Sequence, residues 1–178
     1  KASIGILRGF RDISEQSRVG FFLSDREFSD GYNRVASVDA RIKLNDNWIT
    51  NMQLVGSDSE PALGGDATTG YQRNIQIKHT GRTVSSHTHF VETTDNFRTD
   101  LGFQNRFFKP DTSGIHNSLN LNFYPDGSNL NSWTTGLSDV YLNDTDGTRI
   151  YHQLGPNLNF NWNTTGVGFS YNDHAEIL

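Results

Sequence analysis

Ala36-Ser37-Val38-Asp39-Ala40-Arg41-Ile42-Lys43-Leu44 places an apolar side chain at every even position and a polar or charged one at every odd position. A strand turns successive side chains to opposite faces, so this period of two makes a β-strand with one apolar and one hydrophilic side. Asn45-Asp46-Asn47 follows. Asn and Asp favour turns because their side chains bond the local backbone and tolerate left-handed angles. Alternation resumes through Trp48, Thr50, Met52 and Leu54, which makes the two segments a hairpin.

The same pattern extends in both directions. Val19, Phe21 and Leu23 alternate with Arg18, Gly20, Phe22 and Ser24, and Tyr71, Ile75 and Ile77 alternate with Gln72, Asn74, Gln76 and Lys78. Gly81 turns the chain into a strand from Val84 to Phe90. Phe97, Thr99, Leu101, Phe103 and Phe107 alternate with Arg98, Asp100, Gln104 and Arg106, and Ile115, Leu119, Leu121 and Phe123 with His116, Ser118, Asn120 and Asn122. Ile150, Leu154, Leu158, Phe160 and Trp162 face away from Tyr151, Gln153, Asn157, Asn159 and Asn161. Asn163-Thr164-Thr165-Gly166 then turns into Val167, Phe169 and Tyr171. No stretch carries a helical period. Turn clusters at Asp30-Gly31, Asp58-Ser59-Glu60-Pro61, Pro110 to Gly114, Pro125 to Ser128 and Asp144 to Gly147 separate the strands. The reading is an all-β, antiparallel chain forming a single domain over 1–178. It has about 10 to 12 strands, many of about nine to eleven residues, and one longer loop near Gly56 to Thr69.

The 178 residues carry 15 Lys+Arg against 20 Asp+Glu, a formal net charge of −5, and no cysteine. An acidic balance argues against a nucleic-acid partner held through phosphates. The absence of Cys removes disulfides, thiolate metal sites and cysteine nucleophiles. Apolar runs are short and the mean hydropathy is −0.61, so no helix of about 20 apolar residues crosses a bilayer, whereas a β-barrel needs apolar residues on one strand face only.

Alternation fits both a soluble sheet with one wet face and a transmembrane barrel with an apolar belt. Three features favour the barrel. The strands are longer than the five or six residues, roughly, of soluble sheets. Aromatic residues cluster near strand ends, with Trp48, Phe107, Phe123, Tyr124, Trp133, Trp162 and Tyr171 as candidates for an aromatic girdle. The polar faces carry charges of both signs, which would cost about 2 to 4 kcal/mol each against lipid near the midplane. Asp39, Arg41, Lys43, Arg98, Asp100, Gln104 and Arg106 are therefore expected to line a wet lumen.

The run Arg18-Val19-Gly20-Phe21-Phe22-Leu23-Ser24-Asp25-Arg26-Glu27, followed by Tyr32 to Arg41 and by Leu44-Asn45-Asp46-Asn47-Trp48, resembles a family of uncharacterised bacterial outer-membrane proteins. In that family a domain like carbohydrate-binding module family 9 precedes a C-terminal β-barrel. Asn96 to Phe103 is similar to another of its recurring stretches, and the resemblance is clearest over residues 5 to 108. It implies a bacterial outer-membrane location, outer-membrane lipid as the surrounding medium, and a glycan bound by an attached module. The chain departs from a complete member in lacking that module and a signal peptide. Its strand count is odd, and Glu176-Ile177-Leu178 lacks a terminal aromatic. The expectation is a section of a larger barrel completed by further strands or chains. A closed eight- to twelve-stranded barrel is the alternative.

Candidates for chemistry are few. His87 and His89 lie two apart, so their rings share one strand face and could share a metal ion, but Glu92 falls on the other face and no ligand triad is legible. Asp144-Thr145-Asp146-Gly147 opens like a calcium loop and lacks the later acidic ligand, so it reads as a turn. Asp39, Asp95 and Asp100 are carboxylates from which a glycosidase-like acid/base pair could be drawn, though solvated or salt-bridged roles are the simpler expectation. The aromatic and Asn-rich segment from Asn157 to Asn172 could stack on and bond a sugar, or form a girdle over an Asn-lined lumen. The functional expectation is an outer-membrane pore, transport component or membrane anchor for a binding module. It needs no cofactor and no catalysis in this segment. The other class is a soluble carbohydrate-binding or carbohydrate-active β-sandwich.

Overall fold

The computed structural model describes residues 2–101, 109–127 and 129–176. Among them, eleven strands follow in order: β1 (Ala2–Ser14), β2 (Ser17–Phe28), β3 (Gly31–Lys43), β4 (Trp48–Glu60), β5 (Thr68–Thr80), β6 (Val84–Thr93), β7 (Thr112–Phe123), β8 (Leu130–Asn143), β9 (Arg149–Trp162), β10 (Gly166–Ser170) and β11 (Asp173–Glu176). Each of β1 to β9 pairs antiparallel with the next, giving one meandering sheet. The short β10 and β11 lie end to end along β9.

Register keeps the two chemistries apart. Val38 stands opposite Phe21 on one side and Leu54 on the other, while Asp39 stands opposite Gly20 and Gln53. Directly opposed residues share a face, so the apolar positions read in the sequence merge into one continuous surface across the strands. That surface is uncovered: Val38 is 58% exposed and Leu54 53%. The buried apolar cluster is small, consisting of Val35, Val55 and Phe97 on the opposite, hydrophilic face.

Along the apolar side of β4, Trp48 to Leu54 is six steps of about 3.4 Å, or about 20 Å, and Gly56 and Asp58 follow on the same face. This face also carries charges: Arg34 pairs with Asp25 and Glu27, both at 3.4 Å, Arg73 Nε meets Glu92 at 3.0 Å, Asp139 accepts from Asn117 Nδ2 at 3.1 Å, and Arg11 stands opposite Val19. The end where β3 turns into β4 and β7 into β8 carries aromatic rings on the same face.

Two stretches expected otherwise take a different form, and the alternative of a closed barrel is not met among the described residues. β4 runs through Asp58 to Glu60, so the supposed turn cluster is strand and the longer loop shrinks to 61–67; Ser57 and Ser59, buried beneath the segment described below, keep the chain extended there. Phe97 to Leu101 is not strand. Its backbone bonds to side chains of the sheet instead of to a neighbouring ladder, and the remainder of that expected strand, with Gln104, Arg106 and Phe107, lies outside the described residues. Finally, the barrel is not closed by the described residues. β1 pairs only with β2, and β10 and β11 only with β9, so both edges of the sheet are open. No second sheet packs on it among the described residues, as a sandwich requires.

Candidate functional site

The hydrophilic face is concave, and residues from β1 to β6 together line one cavity of about 830 Å³. Its charged lining is Arg8, Arg18, Arg41 and Asp39; its neutral polar lining includes Asn51, Gln53, Gln72, Asn74, Gln76 and His89. Arg8 reaches from β1 across β2 to form a two-pronged ion pair with Asp39 on β3, with Nη2 to Oδ2 at 2.9 Å. Gly20 makes this span possible, since a side chain on it would strike the Arg8 guanidinium.

Residues 94–101, a strap leaving the end of β6, fold back over this concave face. Phe97 is 4% exposed and packs with Val35 and Val55. Gly70 clears the way, because a methyl group there would run into the backbone of Asn96 and Phe97. Asn33, 2% exposed, grips the strap from β3: its Nδ2 donates to the Arg98 carbonyl at 3.0 Å and to Ser59 Oγ at 2.7 Å, and its Oδ1 accepts from the Asp100 amide at 3.0 Å. Ser57 Oγ accepts from the Arg98 amide at 3.1 Å. Asp100 also holds two guanidiniums, those of Arg26 on β2 and of Arg98 in the strap itself.

The expected lumen residues Asp39, Arg41 and Lys43 do lie on the concave face, as the alternation of β3 requires. Lys43 is at its turn end, where Nζ donates to Asp46 at 2.9 Å; this holds the exposed Asp46 carboxyl below its ordinary range. Arg98 and Asp100 belong to the strap, not to the wall. Of the girdle candidates, Trp48 stacks at 4.7 Å on His79, and Phe123, Trp133, Phe160 and Trp162 form a run of rings with centroids 3.9, 6.4 and 6.1 Å apart on the apolar side. Tyr124 sits in the adjoining turn, its hydroxyl donating to the Arg82 carbonyl at 3.1 Å. Tyr171 does not join them: its amide bonds to the Pro156 carbonyl, midway along β9, because the β10 strand breaks off there.

His87 and His89 share the concave face, with ring centroids 6.1 Å apart, and His116 lies 5.2 Å from His87. Neutral amides engage them: Gln76 Nε2 is 2.9 Å from His87 Nε2, and His89 Nε2 is 2.9 Å from Asn74 Oδ1. Among the described residues no three His, Asp or Glu side chains are placed so that they could hold a metal ion together. Glu92 faces the other way, onto Tyr71 and Arg73. Asp39 and Asp100 are each held by arginine, and Asp95 accepts from the Asn96 amide at 2.7 Å, so the three are not arranged as a free acid/base pair. The Asp144 turn is closed by bonds from Thr148 and Gly147, the latter at φ 89°. In β9, Asn157, Asn159 and Asn161 face the concave side and Phe160 and Trp162 the convex one, so these amides and rings cannot grip one sugar together.

Sequence reading passed over Asn33 and Gly70, and it placed Arg18 on the polar face without singling it out. Arg18 was legible from alternation. Asn33 and Gly70 matter only through a distant segment of chain, and nothing local marks them. No family model matches the chain, and no curated protein matches it significantly.

Proposed function

We propose that this chain is the wall of a bacterial outer-membrane β-barrel whose concave face lines a wet channel, with further strands pairing at the open edges of β1 and of β9 to β11. The supporting observation is the two-faced sheet of strands long enough to cross a bilayer on a tilt: a largely apolar, uncovered surface on one side, and arginines, aspartates and amides on the other. In water that apolar surface would carry a large penalty. In lipid it is the surface the medium requires, and the arginines and aspartates of the other face then point inward. The open edges carry unpaired backbone groups, which lipid does not tolerate and further strands would satisfy. The cavity left beneath the strap favours a channel over a plugged anchor. Membrane fractionation of the full-length protein, followed by gel migration in detergent with and without boiling, tests this. Outer-membrane partition with a shift on boiling is the expected result. A protein that stays in solution without detergent would overturn the reading.

A further inference from the structure

We propose that Arg18 and Arg41, at the end of the concave-face cavity away from the strap, form a selectivity site for solutes bearing a carboxylate, sulfate or phosphate group; this rests on the channel reading above. The two arginines stand directly opposite one another on β2 and β3. Both are exposed on the concave face, and neither forms an ion pair among the described residues. Arg18 lies 6.0 Å from the Phe10 ring, and Arg41 reaches Asn51 Oδ1 only at 3.5 Å. The other arginines on this face are already engaged, Arg8 by Asp39 and both Arg26 and Arg98 by Asp100.

Like charges directly opposite across a strand pair repel, so this placement is unfavourable until an anion sits between them. Two guanidinium forks side by side suit a planar or tetrahedral oxyanion, which each can bind through two hydrogen bonds. Among the described residues the nearest acids form no ion pair with either arginine. Asp12 is opposite Arg18 in register without an ion pair, and with Glu15 it lines an adjoining cavity of about 340 Å³ that Arg18 and Arg41 share. Within the main cavity three arginines face one aspartate, although the whole chain carries a net charge of −5. The open forks of Arg18 and Arg41 thus put positive charge on the lining itself, and such charge favours anions in a pore. The surrounding amides of Asn51, Gln53, Asn74 and Gln76 offer neutral hydrogen bonds to the rest of a polar solute, and the volume suits a small molecule.

The test is reversal-potential measurement on the full-length protein in planar bilayers under a potassium chloride gradient, with sulfate, phosphate and gluconate added as blockers. The wild type should prefer chloride to potassium. In Arg18→Gln/Arg41→Gln that preference should fall by about tenfold, and oxyanion block should weaken by a similar factor. Arg18→Lys/Arg41→Lys keeps the charge and loses the forks, so it should retain the preference and lose most of the block. Arg34→Gln, on the convex rim, should change neither. Comparing the three blockers shows which oxyanion the site takes. Each variant is first checked for the boiling-dependent gel shift, so that misfolding is recognised. A conducting double Gln variant with unchanged preference and block overturns this site and leaves the channel standing. An inserted wild type that does not conduct overturns both.

Discussion

Replacing Asn33 with alanine removes the side chain that grips the strap while leaving the backbone pairing of β3 intact. Asn33 makes three hydrogen bonds, of which two, to the Arg98 carbonyl and from the Asp100 amide, hold the strap; the third, to Ser59, lies within the sheet. A hydrogen bond contributes about 1 kcal/mol net when both partners find water in the alternative state, as these would if the strap lifted. Losing two therefore weakens docking by about 2 kcal/mol, or about thirtyfold in the ratio of lifted to docked strap. Hydrogen exchange of the Arg98 amide reads this cleanly, because its acceptor is Ser57 Oγ, which the substitution does not touch. In a detergent or nanodisc sample its exchange should accelerate by about thirtyfold, and that of the Phe97 amide, bonded to the Thr94 carbonyl, should follow. Amides of Val35 and Val55 should keep their wild-type rates, which separates release of the strap from unfolding of the sheet. If Arg98 and Phe97 exchange at unchanged rates, Asn33 is not what holds the segment, and the Phe97 contacts or the Asp100 ion pairs carry it instead.

Val38→Arg, in the middle of the apolar face, should destabilise the folded protein in bilayers by about 2 to 4 kcal/mol in denaturant titrations, whereas Gln53→Arg, opposite Asp39 on the concave face, should change it by about 0.5 kcal/mol or less; equal effects would mean that both faces are wet. Gly70→Ala drives a methyl group into the backbone of Asn96 and Phe97, so the strap should lift and trypsin should cut after Arg98 much faster than in the wild type; an unchanged cleavage rate would show that the sheet gives way instead. Asp46, held low by the Lys43 hydrogen bond and charge, contributes stability that is present above its unfolded pKa and is lost as pH falls through its lower folded value. Its carboxyl resonance should titrate below that of an ordinary aspartate and return to the ordinary range in Lys43→Gln, and a midpoint that does not move would mean the pair does not form in solution.

What the sequence disclosed, and what it hid, follows from the range over which each interaction acts. Alternation is set by the pleat of a single strand, so Ala36 to Leu44 was enough to place Asp39, Arg41 and Lys43 on one face and Val38 on the other, and the same logic carried to Phe123 and Trp162. The turn at Asn45 to Asn47 was equally legible, because its chemistry is local: Asn45 Oδ1 accepts from the amides of Asn47 and Trp48. The failures lie where alternation persists without a ladder. Phe97, Thr99 and Leu101 alternate with Arg98 and Asp100 as strand residues do, yet their chain partners are side chains of Asn33 and Ser57, more than 40 positions away in sequence. Extended backbone yields the same pattern whether its amides bond to a neighbouring strand or to an asparagine on a wall beneath it.

The same distinction bears on where specificity sits in such a fold. Wall residues are constrained twice, by the lumen they face and by the register that ties each to its cross-strand neighbours, so a charge on the wall brings opposing charges into play. Arg8 is neutralised by Asp39 across an intervening strand only because Gly20 leaves room for it. A strap has no such register. It is seated by a few contacts at Asn33, Ser57, Gly70 and Phe97, and its length between those anchors can vary without shifting any strand. Among the described residues, Arg18 and Arg41 face one another on the wall without an ion pair, and they line the cavity at the end away from the strap. In the proposed channel the two elements then act separately: removing the arginines should change which ions pass, while releasing the strap, seated at the other end of the cavity, should change how many pass.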